Sequence, residues 1–123
     1  GLAISIAMQH VIRYNGVTGN VKRSVYPRYE EYRAQQDYAN IARYIGLEGK
    51  DDAELVEALC QRIDQLMRAV DVEPSLSANG VTKEAFDAAV DRLASLAYDD
   101  QCTPANPRQP YLSELKQLLI DMF

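Results

Sequence analysis

One histidine, two cysteines and an adjacent carboxylate pair are the residues of this 123-residue chain on which chemistry could rest. His10 is the single imidazole, so no zinc set of histidines and cysteines can be assembled within the chain. Surrounded by apolar neighbours, it reads first as a structural residue. Cys60 falls beside an apolar stripe and reads as a small buried hydrophobe. Cys102 has no basic neighbour in sequence that would lower its pKa. The count allows a Cys60–Cys102 disulfide, but two cysteines without a secretory signal favour a reduced, cytoplasmic protein. Asp99 and Asp100 diverge on a helix, so they read as a solvated helix end rather than an acid–base or cation pair. Residues 13–44 gather six of the eight tyrosines with six Lys+Arg against three Asp+Glu, a local +3 set against −8 elsewhere. That is the make-up of an aromatic-basic nucleic-acid surface, but Glu30, Glu31 and Asp37 interrupt it. Nucleic acid is therefore not an expected partner. The functional alternative to a plain surface is a subunit or domain contact, which tyrosine and arginine commonly anchor.

The elements that position these residues follow from composition and periodicity. A hydrophobic fraction of 47% and a charged fraction of 25% exclude disorder, collagen-like repeats and a disulfide scaffold. The net charge of −5 gives no overall attraction to nucleic acid or anionic lipid. A membrane span needs about 20 apolar residues, and the apolar start meets Gln9, His10 and Arg13 too soon. It also lacks the basic segment that opens a secretory signal. Read as a helix to about Tyr14, this start carries Leu2, Ile4, Ile6, Met8, Val11 and Ile12 around its whole circumference. Such helices belong inside a large body. The other helices can cover one face of it, less easily all. It has no N-cap residue either. The sequence therefore predicts one partial domain over residues 1–123, truncated on its N-terminal side inside a core helix.

The remainder reads as an all-α helical bundle. Asn15 to Asn20 is turn-rich, and Pro27 suits an early helical position. Ala34, Tyr38, Ile41, Ala42 and Ile45 form an apolar stripe that ends at Gly46. Asp51 and Glu54 have the spacing of a capping box for a third helix with Val56, Leu59, Ile63, Leu66 and Val70 inward. A linker from Pro74 to Gly80 precedes a helix capped by Thr82, whose predicted inward face is Phe86, Ala89, Val90, Leu93 and Ala97. Leu112, Leu115, Leu119 and Met122 make the last stripe. No period-2 alternation predicts a sheet.

The most specific stretch joins the last two helices: Asp99-Asp100-Gln101-Cys102-Thr103-Pro104-Ala105-Asn106-Pro107-Arg108-Gln109-Pro110. Its three prolines each fix φ and remove a donor, and Pro107 pushes Asn106 out of the helical region. This is a rigid, shaped connection. It resembles the iron-containing (group III) alcohol dehydrogenases, whose last helix follows a Cys-Thr-x-x-Asn-Pro-Arg segment. The similarity is greatest to the alcohol dehydrogenase half of the bifunctional aldehyde-alcohol dehydrogenases. There Leu112-Ser113-Glu114-Leu115-Lys116-Gln117 also recurs after the loop, and Val11-Ile12-Arg13-Tyr14-Asn15 is a second match. The resemblance runs from residue 1 to 123, weakest over 17–30 and 46–85.

What the resemblance implies is a parent enzyme that reduces acetaldehyde to ethanol with NADH, with iron or zinc polarising the carbonyl. This chain would be the end of its C-terminal helical part. The family's metal ligands, one Asp and three His, all precede residue 1, the last in a Pro-His-Gly segment whose glycine matches Gly1. His10 cannot replace it, being about 15 Å along a helix. The glycine-rich nucleotide-binding segment also lies upstream. No catalytic, cofactor-binding or metal residue is therefore expected in this fragment, and inactivity is expected of it alone. Cys102 and Thr103 are expected to line the substrate pocket. The implied partners are the remainder of the enzyme and further copies of it, with the 26–44 stretch, notably Tyr29 and Tyr32, at a subunit contact. The alternative is a stand-alone helical interaction module with no enzymatic activity.

Overall fold

The computed structural model describes residues 1–123 except Pro27 and Tyr29. The expectation of an early helical Pro27 falls outside the described residues, as does Tyr29. Five α-helices are described: α1 (Leu2–Asn15), α2 (Ala34–Tyr44), α3 (Asp52–Ala69), α4 (Lys83–Asp99) and α5 (Leu112–Asp121). A 3₁₀ turn at Thr103–Ala105 interrupts the loop between α4 and α5. Among the described residues there is no strand, only an isolated antiparallel bridge between Arg23 and Arg108. The protein is all-α, as its periodicity predicts.

The helices pack in two groups. α2 lies on α3, with α1 across both, and α4 pairs with α5. The first group encloses the main core of Ile12, Ala39, Ala42, Leu55, Val56, Leu59 and Cys60. Local signals set the boundaries. Gly46 has φ 80°, and its N–H bonds the Arg43 carbonyl while Leu47 bonds that of Ala42. This left-handed stop satisfies two carbonyls that the helix end would leave open. Asp51 caps α3 by accepting from the Glu54 N–H at 2.9 Å, and Glu54 accepts from the Lys50 N–H at 2.8 Å. The Glu54 carboxylate thus reaches one residue further back than a capping box requires. Thr82 caps α4 through the Ala85 N–H.

Several predicted faces are turned. α2 buries Ala34, Ala39 and Ala42, while Ile41 and Ile45 are about half exposed at 49% and 48%. Small residues let α2 approach α3 closely, and the two isoleucines are left outside that seam. α3 buries Cys60 and Met67 in place of Leu66 and Val70, which are exposed. It has 18 residues against 11 in α2, an excess of about 10 Å that α2 cannot cover. On α4, Phe86, Val90 and Ala94 are buried and Leu93 is exposed. In α5 no residue is fully buried. Its contact with α4 closes through the Phe86 and Phe123 rings, whose centroids are 4.7 Å apart. α1 buries only Ile6, Gln9, Ile12 and Asn15, leaving Leu2, Ile4, Met8 and Val11 in solvent. One side of an all-round apolar helix is covered, by α3, α2 and α5.

Candidate functional site

The C-terminal end of α1, the 100–111 loop and the start of α5 meet at one polar junction. Asn15, only 2% exposed, faces Asn106 in a reciprocal amide pair, each Nδ2 donating to the other's Oδ1 at 2.8 Å. Asn106 can reach across because Pro107 keeps it extended at ψ 137°. Its Nδ2 also donates to the Arg108 carbonyl at 2.5 Å. Arg108 stacks its guanidinium over the Tyr14 ring at 3.8 Å. The same group donates to the Tyr14 carbonyl at 2.8 Å and to Glu114 Oε1 at 2.6 Å. Glu114 Oε2 accepts from the Tyr14 hydroxyl at 2.7 Å and from the Tyr111 N–H at 2.9 Å. Further ties come from the 16–32 segment. Tyr32 donates to the Asn15 carbonyl, and the Ser24 N–H and hydroxyl donate to the Pro107 and Pro104 carbonyls.

Electrostatics follow this geometry. Burial pushes the Glu114 carboxyl up, but the Tyr111 N–H, the Tyr14 hydroxyl and Arg108 outweigh it and hold it below its ordinary value. The Tyr14 hydroxyl is pushed up, first by burial and then by its bond to Glu114. On the other side of α1, Arg13 forks onto both Glu57 oxygens at 2.8 and 2.9 Å, and that bond lowers the Glu57 carboxyl. Both carboxylates therefore bind protons less readily folded than unfolded. Their stabilisation is complete above the ordinary carboxylate range near pH 4.3 and is lost as pH falls through the lowered native values. A urea midpoint measured against pH is expected to fall on the acid side, with Glu114→Gln flattening that limb.

The residues singled out in the sequence fall at different places in the fold. Cys102 and Thr103 stand together at a cleft of about 240 Å³, with Val11 and Tyr14 of α1, Asn106 of the loop, and Leu115 and Leu118 of α5. Thr103 donates its hydroxyl to the Ala97 carbonyl at 2.5 Å, tying the loop to the end of α4. Cys102 is an exposed free thiol. Cys60 is also free, fully buried, and its Sγ lies 3.5 Å from the Gln9 carbonyl. Burial pushes its pKa up to about 11, so the thiol is inert at neutral pH. His10 is half-buried, and its pKa is lowered by burial and by Arg13, against an opposing pull from Asp121. It is a poor place for a cation. Asp99 and Asp100 are both exposed, and Asp100 accepts from the Cys102 N–H at 2.7 Å as part of the turn.

Sequence reasoning singles out the loop but misses its partners, Asn15, Tyr14 and Glu114. The available signal is that both stretches that carry the resemblance, Val11–Asn15 and Asn106–Arg108, have side chains able to pair. They prove to be in direct contact.

Residues 1–123 match the Fe-containing alcohol dehydrogenase family, C-terminal, and the chain belongs to that family. The chain is 40% identical over 123 residues to the aldehyde-alcohol dehydrogenase of Clostridium acetobutylicum. Over 125 residues it is 38% identical to the bifunctional aldehyde-alcohol dehydrogenase of Escherichia coli K12. In both cases all of this chain is covered, but only 14% of the relative. Lactaldehyde reductase of the same E. coli strain is 36% identical over 121 residues, covering 96% of this chain and 26% of that protein. The family implies iron, but the donors of this chain do not fit it. Among the described residues no three His, Cys, Asp or Glu side chains are placed to hold a metal. Nor is there, among them, a strand-to-helix turn of the kind that holds a dinucleotide pyrophosphate. No helix among the described residues is long and apolar enough to cross a membrane.

Proposed function

We propose that this chain is the end part of the helical domain of an NAD- and iron-dependent alcohol dehydrogenase that interconverts acetaldehyde and ethanol in the cytoplasm. The metal ligands and nucleotide-binding segment belong to polypeptide outside residues 1–123, and this part alone is inactive. The whole-length match to the family carries this reading. Support comes from the junction, because the Asn106–Arg108 loop, on which the resemblance rests, is locked onto α1. Iron would be held by residues outside this chain and would supply Lewis-acid chemistry to the carbonyl. The residues of this chain contribute differently, by forming an apolar wall that keeps water from the bound molecules. Around the cleft, Thr103, Asn106 and Tyr14 direct their polar atoms to protein partners, leaving Val11, Leu115 and Leu118 to make that wall.

In this reading Cys102 and Thr103 line the substrate end of the cleft. A thiol reagent applied to the whole enzyme should modify Cys102 and leave buried Cys60 intact near pH 8. NADH together with an alcohol should slow that modification several-fold. Equal rates with and without them would remove Cys102 from the pocket.

The enzyme is proposed to be a homo-oligomer with the 26–44 stretch at a subunit contact. Within that stretch Tyr44 is 91% exposed beside half-exposed Ile41, with half-exposed Ile45 directly after it, whereas Tyr32 is half-buried with its hydroxyl on Asn15. Tyr44 and Ile45 are accordingly the better positions to probe. Tyr44→Glu with Ile45→Glu should lower the sedimentation coefficient of the whole enzyme. An unchanged coefficient would make this surface merely solvated.

A further inference from the structure

We infer that Arg108 is a positioning residue for the dehydrogenase reaction: its side chain holds the Tyr14 ring in the cleft wall and ties α1 to α5, and so sets the shape of the cleft. This rests on the reading of the cleft given under Proposed function.

Arg108 itself does not line the cleft, but the wall residue Tyr14 depends on its side chain. Its guanidinium lies 3.8 Å from the centroid of the Tyr14 ring, on which it stacks. Its two terminal nitrogens reach the Tyr14 carbonyl on α1 and Glu114 on α5. Its main-chain carbonyl, which any residue at this position would supply, accepts the Asn106 amide that also pairs with Asn15. One planar side chain therefore sets the separation of α1, the loop and α5, the three walls of the cleft. The pair with Glu114 is largely shielded, with the two side chains 20% and 28% exposed, so water competes weakly for it. Fork geometry matters here: a lysine keeps the charge but cannot donate in two fixed directions while stacking on a ring.

The test uses the whole enzyme with Arg108→Lys, and with Glu114→Gln as a second variant should the first fail to fold. Thermal unfolding, kcat, KM for the alcohol and the rate of Cys102 modification, resolved by peptide mapping, are measured on each. Unlabelled-ligand protection of Cys102 in the unsubstituted enzyme is measured beside them. A misplaced wall weakens substrate binding more than the chemical step. KM should therefore rise about tenfold while kcat changes less than about twofold. Cys102 modification should quicken by about fivefold or more in the same variants. A loss of thermal stability with KM and Cys102 reactivity unchanged would overturn the proposal, leaving Arg108 a purely structural residue. Faster modification with unchanged KM would also overturn it. If, in addition, ligands give Cys102 no protection in the unsubstituted enzyme, the failure lies in the reading of the cleft; protection there would place the failure with Arg108 alone.

Discussion

Gly16→Ala is expected to destabilise the protein by about 2–3 kcal/mol, the upper part of the range for a well-packed site forced to take an extra methyl. Gly16 follows α1, and a Cβ built on it would stand 2.7 Å from Val56 Cγ1 and 2.8 Å from the Ile12 carbonyl oxygen. Neither neighbour gives way easily. Val56 is buried at 5% exposure, with a stiff β-branched side chain in the centre of the core. The Ile12 carbonyl already accepts the Gly16 N–H at 2.7 Å. Backbone dihedrals are not the obstacle, because φ is −78°; the close approach of α1 to α3 is. A double-mutant cycle separates these causes. Val56→Ala opens room on one side, so the doubly substituted protein should lose at least about 1 kcal/mol less than the sum of the single losses. Strict additivity of urea-derived free energies would show that Val56 is not what the methyl meets.

The same close approaches explain what could and could not be read from the residues. Helix number, the stop at Gly46 and the starts at Asp51 and Thr82 were legible because each is a local matter of φ, side-chain acceptors or a missing Cβ. The inward faces were legible only in part. Periodicity ranks positions by side-chain size, whereas the α2–α3 seam is made by Ala39 and Ala42 because it is tight. Ile41, Ile45, Leu66 and Leu93 are exposed for that reason or because no neighbouring helix reaches them. At the candidate site the loop announced itself through its three prolines. The lock could not be foreseen, since Asn15 and Asn106 are 91 residues apart and no spacing rule connects them. That Tyr14, Arg108 and Glu114 pair is a consequence of the fold.

The second large effect is a complete one. Iron needs several oxygen or imidazole donors converging on one point, with a position left open for the substrate. This chain offers one histidine, half-buried beside Arg13. Hydride transfer needs the dinucleotide held, and the described helices provide no turn for its phosphates. The apolar side of α1, with Leu2, Ile4, Met8 and Val11 exposed, would also favour self-association of residues 1–123 by themselves. The most direct measurement is NADH formation from ethanol and NAD, with metal counted per chain. Residues 1–123, loaded anaerobically with ferrous iron or zinc, are compared with a longer polypeptide that contains them. The longer polypeptide should turn over, lose activity to a chelator and regain it with ferrous iron, while residues 1–123 should hold no stoichiometric metal and form no NADH. Stoichiometric metal with measurable turnover by residues 1–123 alone, or a longer polypeptide indifferent to chelation, would be incompatible with the proposed function.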